Sequence, residues 1–275
     1  MVRLLSEYGI RPSRALGQNF VADPNTVERI VRIAGVEPGA RVVEIGAGLG
    51  SLTLALAAAG ASVVAIELDR RLADVLRETT AGLAVEVVAA DAMTLDWSEV
   101  VSAQGPAVMV ANLPYNIATP VVLRALEDAS AIGRFTLMVQ REVGERWVAG
   151  PGDDAFGAVS VKMAWWAAAR LAGSVPRGVF VPQPRVDSVL VSLERRAAPD
   201  GVDRRAVFGL VEAGFATRRK MLRRTLAGMV GEAAFEEAGV APTDRAEDLS
   251  LEDWVRLAAA AHRSPPERGS RDVTT

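Results

Sequence analysis

Short apolar runs alternate with longer amphipathic segments along the first half of the chain. The apolar runs predict strands at 41–45, 62–67, 84–89, 107–111 and 134–140, and the amphipathic segments predict helices at 51–59, 69–80 and 119–127. A further helix is predicted to begin at Asp23-Pro24, because aspartate caps a helix and proline fits its first turn. Short apolar strands separated by helices indicate βαβ units and a buried parallel sheet.

The pattern changes towards the C-terminus. Two more strands are predicted at 169–175 and 188–194, after helices at 142–149 and 158–166, and every later periodic segment is helical, at 204–216, 220–230, 233–238 and 251–261. The two late strands form a hairpin-like pair, which makes the last strand antiparallel. We therefore predict an α/β, Rossmann-like domain at 1–198, a small all-helical domain at 202–262, and a disordered tail at 263–275.

Composition excludes several kinds of chemistry. The 275 residues include no cysteine and one histidine, His262. Disulfides, thiolate or histidine zinc sites, cysteine nucleophiles and Ser-His-Asp triads are therefore excluded, and no metal is expected. Glu7 near the N-terminus, and the lack of an apolar run of about 18 residues, predict a soluble cytoplasmic protein without a signal peptide or membrane contact.

A glycine-rich turn follows the first predicted strand of the sheet. Gly46-Ala47-Gly48-Leu49-Gly50 lets a ligand approach the backbone, but the dinucleotide fingerprint needs a third glycine where this chain has Ser51. Glu67 ends the next strand, where it can hold ribose hydroxyls, and Asp91-Ala92 follows the third, where an adenine amine can be held. Together these strand ends indicate an S-adenosylmethionine pocket; the alternative is a structural turn with solvated acids.

The tetrapeptide Asn112-Leu113-Pro114-Tyr115 ends the strand at 107–111. The Asn112 side-chain oxygen and the Leu113 carbonyl offer two acceptors to an exocyclic amine, Pro114 fixes the turn, and Tyr115 offers a flat face to an extruded purine. No strong base is required, because the cofactor supplies the leaving group and the protein aligns the amine. Phe180 is the candidate for the opposite face of the base; burial in the core is its alternative.

A cluster of cations lies between 215 and 226, which contains no acid, whereas 232–253 is strongly acidic. Its members are Arg218, Arg219, Lys220, Arg223 and Arg224. Their spacing of three and four residues predicts one side of a helix, forming a stripe that suits an RNA backbone. The alternative is a solvated helix face.

Eight motifs in register resemble the small-subunit ribosomal RNA adenine N6-dimethyltransferases, the kasugamycin-sensitivity family, from Leu16 to about Leu257. They lie at 17–20, 43–48, 66–69, 91–93, 112–116, 140–143, 181–188 and 215–220. The resemblance implies a Rossmann-like S-adenosylmethionine-dependent methyltransferase that releases S-adenosylhomocysteine. It places the cofactor contacts at Asn19, the Val21 backbone, Gly46, Glu67, Asp91 and Asn112.

The implied substrate is a pair of adjacent adenosines in the hairpin loop near the 3′ end of 16S rRNA. Each would be dimethylated within an immature 30S subunit, by an enzyme expected to be a monomer because no long heptad or exposed apolar stripe is evident. The macrolide-resistance methylases of 23S rRNA share the cofactor loop and the tetrapeptide, but the motifs at 116–120, 186–188 and 245–250 favour the small-subunit enzyme.

Two other functions are less consistent with the sequence. A non-catalytic ribosome-assembly factor on the same fold would not need the intact tetrapeptide and cofactor loop. A nicotinamide oxidoreductase is disfavoured by Ser51 and by the lack of cysteine and of a histidine near the predicted site.

Overall fold

The structure is a computed structural model that describes residues 2–13, 17–101, 105–217 and 219–264, with side chains from residue 5 onward. Its helices are α1 (Val2–Glu7), α2 (Pro24–Ala34), α3 (Ser51–Ala58), α4 (Arg70–Thr79), α5 (Trp97–Val100), α6 (Ala118–Asp128), α7 (Arg141–Val148), α8 (Ala158–Trp166), α9 (Arg204–Phe215), α10 (Leu222–Thr225), α11 (Glu232–Ala238) and α12 (Leu251–Arg263). Within these described ranges, no helix combines the length and apolar character needed to cross a membrane.

The strands are β1 (Phe20–Val21), β2 (Arg41–Ile45), β3 (Ser62–Glu67), β4 (Val85–Ala89), β5 (Ala107–Asn112), β6 (Ile132–Gln140), β7 (Ala167–Val175), β8 (Phe180–Val181) and β9 (Ser188–Arg195). Seven of them form one sheet in the order β4-β3-β2-β5-β6-β9-β7. The neighbours from β4 to β6 are parallel, and β9 is antiparallel to both β6 and β7. The predicted mostly parallel α/β sheet with an antiparallel last strand is confirmed, with β9 inserted between β6 and β7.

The order of the strands indicates which edge of the sheet can bind a ligand. The chain runs outward from β2 to β3 and β4 on one side, then returns to β5 on the other side of β2. Open α/β sheets bind ligands at such a switch point, beyond the carboxyl ends of the strands. The residues that follow β2, β3, β4 and β5 therefore share one edge of the sheet.

Asp23 and Pro24 begin helix α2, as the sequence predicts. The Asp23 carboxylate accepts the Thr26 backbone N–H at 2.9 Å, and Pro24 occupies the first turn. Gly35, in the left-handed conformation at φ 57°, ends the helix. Ile30 is fully buried on its inner face, so this helix covers the sheet next to the N-terminal lead.

A second, two-stranded sheet fixes that lead. Strand β1 pairs antiparallel with β8, with Phe20 opposite Val181 and Val21 opposite Phe180. Both residues of β1 are buried. Residues 17–20 are thereby held beside the glycine-rich turn, although the sequence pattern alone predicts no strand there.

The chain divides into two compact units: 1–145 with 167–195, and 146–166 with 196–275. In the second unit, Trp165 and Phe156 of the 146–166 segment join an apolar cluster with Trp254 of α12. The Phe215 ring lies 5.8 Å from that of Phe156 and 6.2 Å from that of Trp254. The predicted division near residue 198 therefore differs from this one, because Phe156 and Trp165 of 146–166 pack with the C-terminal helices.

The helix predicted at 220–230 is wrong in extent, because only Leu222–Thr225 is helical. The Leu222 N–H donates to the Asp244 carbonyl at 2.8 Å, and the Arg223 N–H donates to the Pro242 carbonyl at 3.0 Å. These long-range bonds replace the helical ones that periodicity predicts. Most of the predicted tail, from residue 265 onward, lies outside the described residues.

Candidate active site

A cavity of about 160 Å³ lies at the carboxyl ends of β2, β3 and β5. Most residues that the sequence predicts to hold a cofactor or a target base line this one space. They are Asn19, Gly46, Gly48, Glu67, Asp91, Ala92, Asn112, Leu113, Pro114 and Tyr115. The structure thus brings together residues from the N-terminal lead, at Asn19, and from the tetrapeptide that ends at Tyr115.

Two glycines of the turn after β2 make room for the other walls of the cavity. Gly48 has φ 58°, and a Cβ there would lie 2.8 Å from the Phe20 ring. Gly46 has φ 70°, and its Cβ would lie 3.3 Å from the Pro114 ring. Only glycine tolerates both the left-handed backbone and the close approach, so the N-terminal lead and the tetrapeptide can close on this turn.

Glu67 lies at the end of β3 with only 6% of its surface exposed. One carboxylate oxygen accepts the Gly48 N–H at 2.8 Å, and the other accepts the Asp69 N–H at 2.9 Å. Burial raises the pKa of Glu67, and the backbone N–H groups act in the opposite direction. Each carboxylate oxygen has a second lone pair, so this rigid group can accept two adjacent hydroxyls of a ribose.

Asp91 and Ala92 follow β4 on the same edge of the sheet. One Asp91 oxygen accepts the Met93 N–H at 2.8 Å, which fixes the carboxylate in a turn. Ala92 is 5% exposed and lines the cavity. The second Asp91 oxygen can accept from an amine, as the sequence predicts.

Asn112 ends β5, and its amide has a defined orientation. Its Nδ2 donates to the Asn19 carbonyl at 2.9 Å. Because a carbonyl can only accept, the amide nitrogen must face Asn19, and Oδ1 is left as an acceptor for another group. The neighbouring Leu113 N–H donates to the Met138 carbonyl at 3.1 Å, which anchors the residue whose carbonyl is the second predicted acceptor.

Tyr115 lies in the turn after β5 and is half-buried. Its hydroxyl and the Ser188 hydroxyl are 2.8 Å apart. Burial raises the Tyr115 pKa, so the phenol stays neutral at neutral pH. An uncharged aromatic ring held at its tip can act as a stacking surface.

Two predicted site residues lie outside the cavity lining. Phe180 is 3% exposed and packs in an apolar cluster with Val27, Ile30 and other core residues; its predicted contact with the target base stays a prediction. Val21 is 6% exposed and belongs to the same cluster; its predicted backbone contact with the cofactor stays a prediction.

The cavity also has walls that the sequence reasoning missed. Phe20, Leu68, Met93 and Ile117 contribute apolar surface. Each lies within two positions of a predicted site residue, and this proximity is the signal that could have indicated it. Within the described residues, no group of three acidic or histidine side chains is placed to hold a metal ion.

Glu44, one residue before the end of β2, is 1% exposed and is structural. The Thr53 hydroxyl donates to its carboxyl at 2.6 Å. Burial raises the pKa of Glu44 to about 8, so the neutral acid dominates at neutral pH. The stability that this neutral form provides is fully present below the usual pKa of 4.5 and is lost as pH rises through 8.

We expect Glu44→Gln to reduce this pH dependence, because glutamine is uncharged throughout that range. The unfolding free energy of the parent protein should fall relative to that of the variant between pH 5 and 8. Urea denaturation at both pH values measures the difference, and titrating groups that do not interact with Glu44 contribute equally to both proteins. Parallel stability curves would show that Glu44 has an ordinary pKa.

The groups at these strand ends match the parts of S-adenosylmethionine in chemical kind, and they line one cavity. A rigid carboxylate is available for the ribose, an acidic turn for the adenine, and an oriented amide beside an aromatic ring for the group that receives the methyl. The fold and the site together define an S-adenosylmethionine-dependent methyltransferase that acts on an amine. A family model described as "Ribosomal RNA adenine dimethylase" matches residues 11–262, and the chain belongs to that family.

Named relatives agree with the family. The chain is 51% identical over 270 residues to the "Ribosomal RNA small subunit methyltransferase A" of Leifsonia xyli subsp. xyli, covering 94% of this chain and 96% of the relative. The protein of the same name from Thermobifida fusca is 49% identical, with 93% and 92% covered. Both comparisons extend over nearly the whole of each chain.

Solved structures share the fold. The 23S rRNA methyltransferase ErmE is 30% identical, with a TM-score of 0.67 over 88% of this chain and 99% of that one. A dimethyladenosine transferase from Plasmodium falciparum has a TM-score of 0.74 at 22% identity, over 89% and 98% of the two chains. At 22% identity, the similarity to the second structure shows the fold alone.

Proposed function

We propose that this adenine dimethylase modifies two adjacent adenosines in the hairpin loop near the 3′ end of 16S rRNA. It would act as a monomer on an immature 30S subunit in the cytoplasm, where that particle is assembled. The observation that carries the proposal is the 51% identity, over nearly complete chains, to a protein named as a small-subunit methyltransferase. Identity to the 23S enzyme is 30%, so the large-subunit alternative is less well supported.

The adenine amine is held by this chain's own acceptors. Asn112 Oδ1 and the Leu113 carbonyl accept its two N–H groups, and the Tyr115 ring stacks on the base. S-adenosylmethionine, when bound, supplies a methyl group on a cationic sulfur, so each transfer leaves neutral S-adenosylhomocysteine and one proton released from the amine. The two oxygens stabilise the positive charge that develops on the nitrogen, and they do so without reorganising.

The cofactor is held on the other side of the cavity. Glu67 takes the ribose hydroxyls and Asp91 takes the adenine amine, while Gly46 and Gly48 allow close approach to the backbone. Asn19 closes the cavity from the N-terminal lead, because its carbonyl is bonded to Asn112.

RNA binding is proposed for the cations near α10. Arg218 lies outside the described residues, but Arg219, Lys220, Arg223 and Arg224 are all exposed. Because α10 is only four residues long, the predicted single-helix stripe is wrong, and the cations instead occupy a turn and a short helix. Within the described residues, no ion pair neutralises these four cations. Free cations of this kind suit phosphate contacts.

Neutralising these cations should weaken RNA binding and its salt dependence. The variant with glutamine at Arg219, Lys220, Arg223 and Arg224 should have a less negative slope of log affinity against log salt. The slope should change by about 0.7 for each RNA phosphate that the variant no longer neutralises. Glutamine at Arg32, Arg134, Arg170 and Arg205, which are exposed elsewhere, removes the same number of charges and is the matched control. An unchanged slope would show that the cluster is a solvated face.

A direct assay tests the choice of substrate. The purified protein is incubated with S-adenosylmethionine and with either 30S or 50S particles that lack the modification. The proposal predicts N6,N6-dimethyladenosine in 16S rRNA alone. Modification of 23S rRNA alone would support the macrolide-resistance alternative, and no modification of either RNA would support a non-catalytic assembly role.

A further inference from the structure

The hydroxyl groups of Tyr115 and Ser188 form a hydrogen bond of 2.8 Å that joins two distant segments of the first unit. Tyr115 lies in the turn after β5, whereas Ser188 is the first residue of β9 and is fully buried. The Tyr115 ring is therefore held at both ends, by the backbone of the turn and by a side chain on a different strand. A ring held by its backbone alone would keep two rotatable bonds.

Ser188 is itself fixed in place. It pairs with Gln140 of β6 on one side and with Val175 of β7 on the other. The preceding Asp187 carboxylate accepts the Arg177 N–H at 3.0 Å, which fixes the chain as it enters β9. A hydroxyl anchored between two strands can define the position of the ring that it holds.

The two methyl transfers make different demands on the orientation of the base. An unmodified adenine has two amine N–H groups for Asn112 Oδ1 and the Leu113 carbonyl. After the first transfer the amine retains one N–H, so one of the two acceptors loses its partner. Stacking on Tyr115 must then supply a larger share of the orientation.

We propose that Ser188 is a positioning residue that fixes the ring plane of Tyr115 and so controls completion of the second methyl transfer. The inference rests on the proposed function of Tyr115 as the surface on which adenine stacks. In each transfer the amine nitrogen gains a bond to carbon, the carbon–sulfur bond breaks with its electron pair left on sulfur, and one proton leaves the amine. Ser188 takes no part in these bonds and acts through Tyr115.

Ser192 provides a matched control on the same strand. It lies four residues after Ser188, so both side chains are on the same face of β9. Its side chain is 8% exposed, and its hydroxyl has no hydrogen-bond partner in the part of the chain that the structure describes. Ser192→Ala therefore removes a buried hydroxyl from β9 without removing a bond to Tyr115.

The test compares S188A, Y115F, the double variant and S192A with the parent protein. The ratio of monomethyl to dimethyl adenosine is measured by mass spectrometry of 16S rRNA from 30S particles. Stacking is measured separately from the fluorescence quenching of 2-aminopurine placed at the target position. S-adenosylmethionine affinity is measured by calorimetry.

We expect S188A and Y115F each to slow the second transfer by about threefold to tenfold, which is the effect of one net hydrogen bond. Monomethyl product should accumulate and 2-aminopurine quenching should decrease, while S-adenosylmethionine affinity stays unchanged. The double variant should be no worse than either single variant, because both remove the same bond. S192A should match the parent protein.

A parental product ratio in folded S188A would overturn the inference, as would additive losses in the double variant. If S188A does not fold, Y115F tests the same bond from its other end, and a parental ratio in Y115F has the same meaning. Failure of the parent protein to dimethylate 16S rRNA is a separate result, which would contradict the proposed function itself.

Discussion

Asn112→Ala is expected to lower kcat by about a hundredfold to a thousandfold, the usual effect of removing one oriented group that stabilises developing charge. The variant loses the only side-chain oxygen proposed to face the target amine. S-adenosylmethionine should still bind, because Glu67 and Asp91 remain in place at the other strand ends. Single-turnover methylation of 30S particles measures the chemical step, and calorimetry measures cofactor binding.

Asn112→Asp separates the two roles of this side chain. Aspartate keeps an acceptor for the amine but cannot donate to the Asn19 carbonyl, to which Asn112 Nδ2 now donates at 2.9 Å. We expect its activity to lie between those of the parent protein and the alanine variant. Parental activity in Asn112→Ala would remove Asn112 from the mechanism.

Glu67→Ala should have the largest effect on cofactor binding. The variant loses both acceptors for the ribose hydroxyls and also leaves the Gly48 and Asp69 N–H groups without their carboxylate partner. Hydrogen bonds to a charged group contribute about 1.5 to 3 kcal/mol each. S-adenosylmethionine affinity should therefore fall by about a hundredfold or more, since each tenfold corresponds to about 1.4 kcal/mol.

Glu86→Ala is the control for Glu67→Ala. Glu86 lies on the neighbouring strand β4 and is exposed, and it is not part of the cavity lining. Calorimetric titration of both variants with S-adenosylmethionine makes the comparison. If both variants bind the cofactor as tightly as the parent protein, the ribose is held by other groups.

The sequence predicts the sheet and most of the site for the same physical reason. Parallel strands that are buried on both faces must be continuously apolar, so the polar residue that ends each run is conspicuous. Glu67 and Asn112 end β3 and β5, and Asp91 follows β4. Because parallel strands have their carboxyl ends at one edge of the sheet, these three residues, which are far apart in the sequence, become neighbours in space.

Features that depend on long-range packing could not be predicted in this way. Phe180 has the same apolar character whether it faces a base or the core, and only its pairing with Val21 places it in the core. Periodicity predicts a helix at α8, but only the packing of Trp165 shows that it belongs with the C-terminal helices. The bond between Tyr115 and Ser188 joins residues 73 positions apart, and no local pattern indicates it.

In cells, the dimethylation of the adjacent adenosines near the 3′ end of 16S rRNA should depend on this enzyme. Mass spectrometry of that rRNA from cells with and without the gene tests it most directly. We expect N6,N6-dimethyladenosine to be lost from the 3′ hairpin without the gene, and to be restored by the parent gene but not by one that encodes Asn112→Ala. Retention of both dimethyladenosines in cells that lack the gene would contradict it.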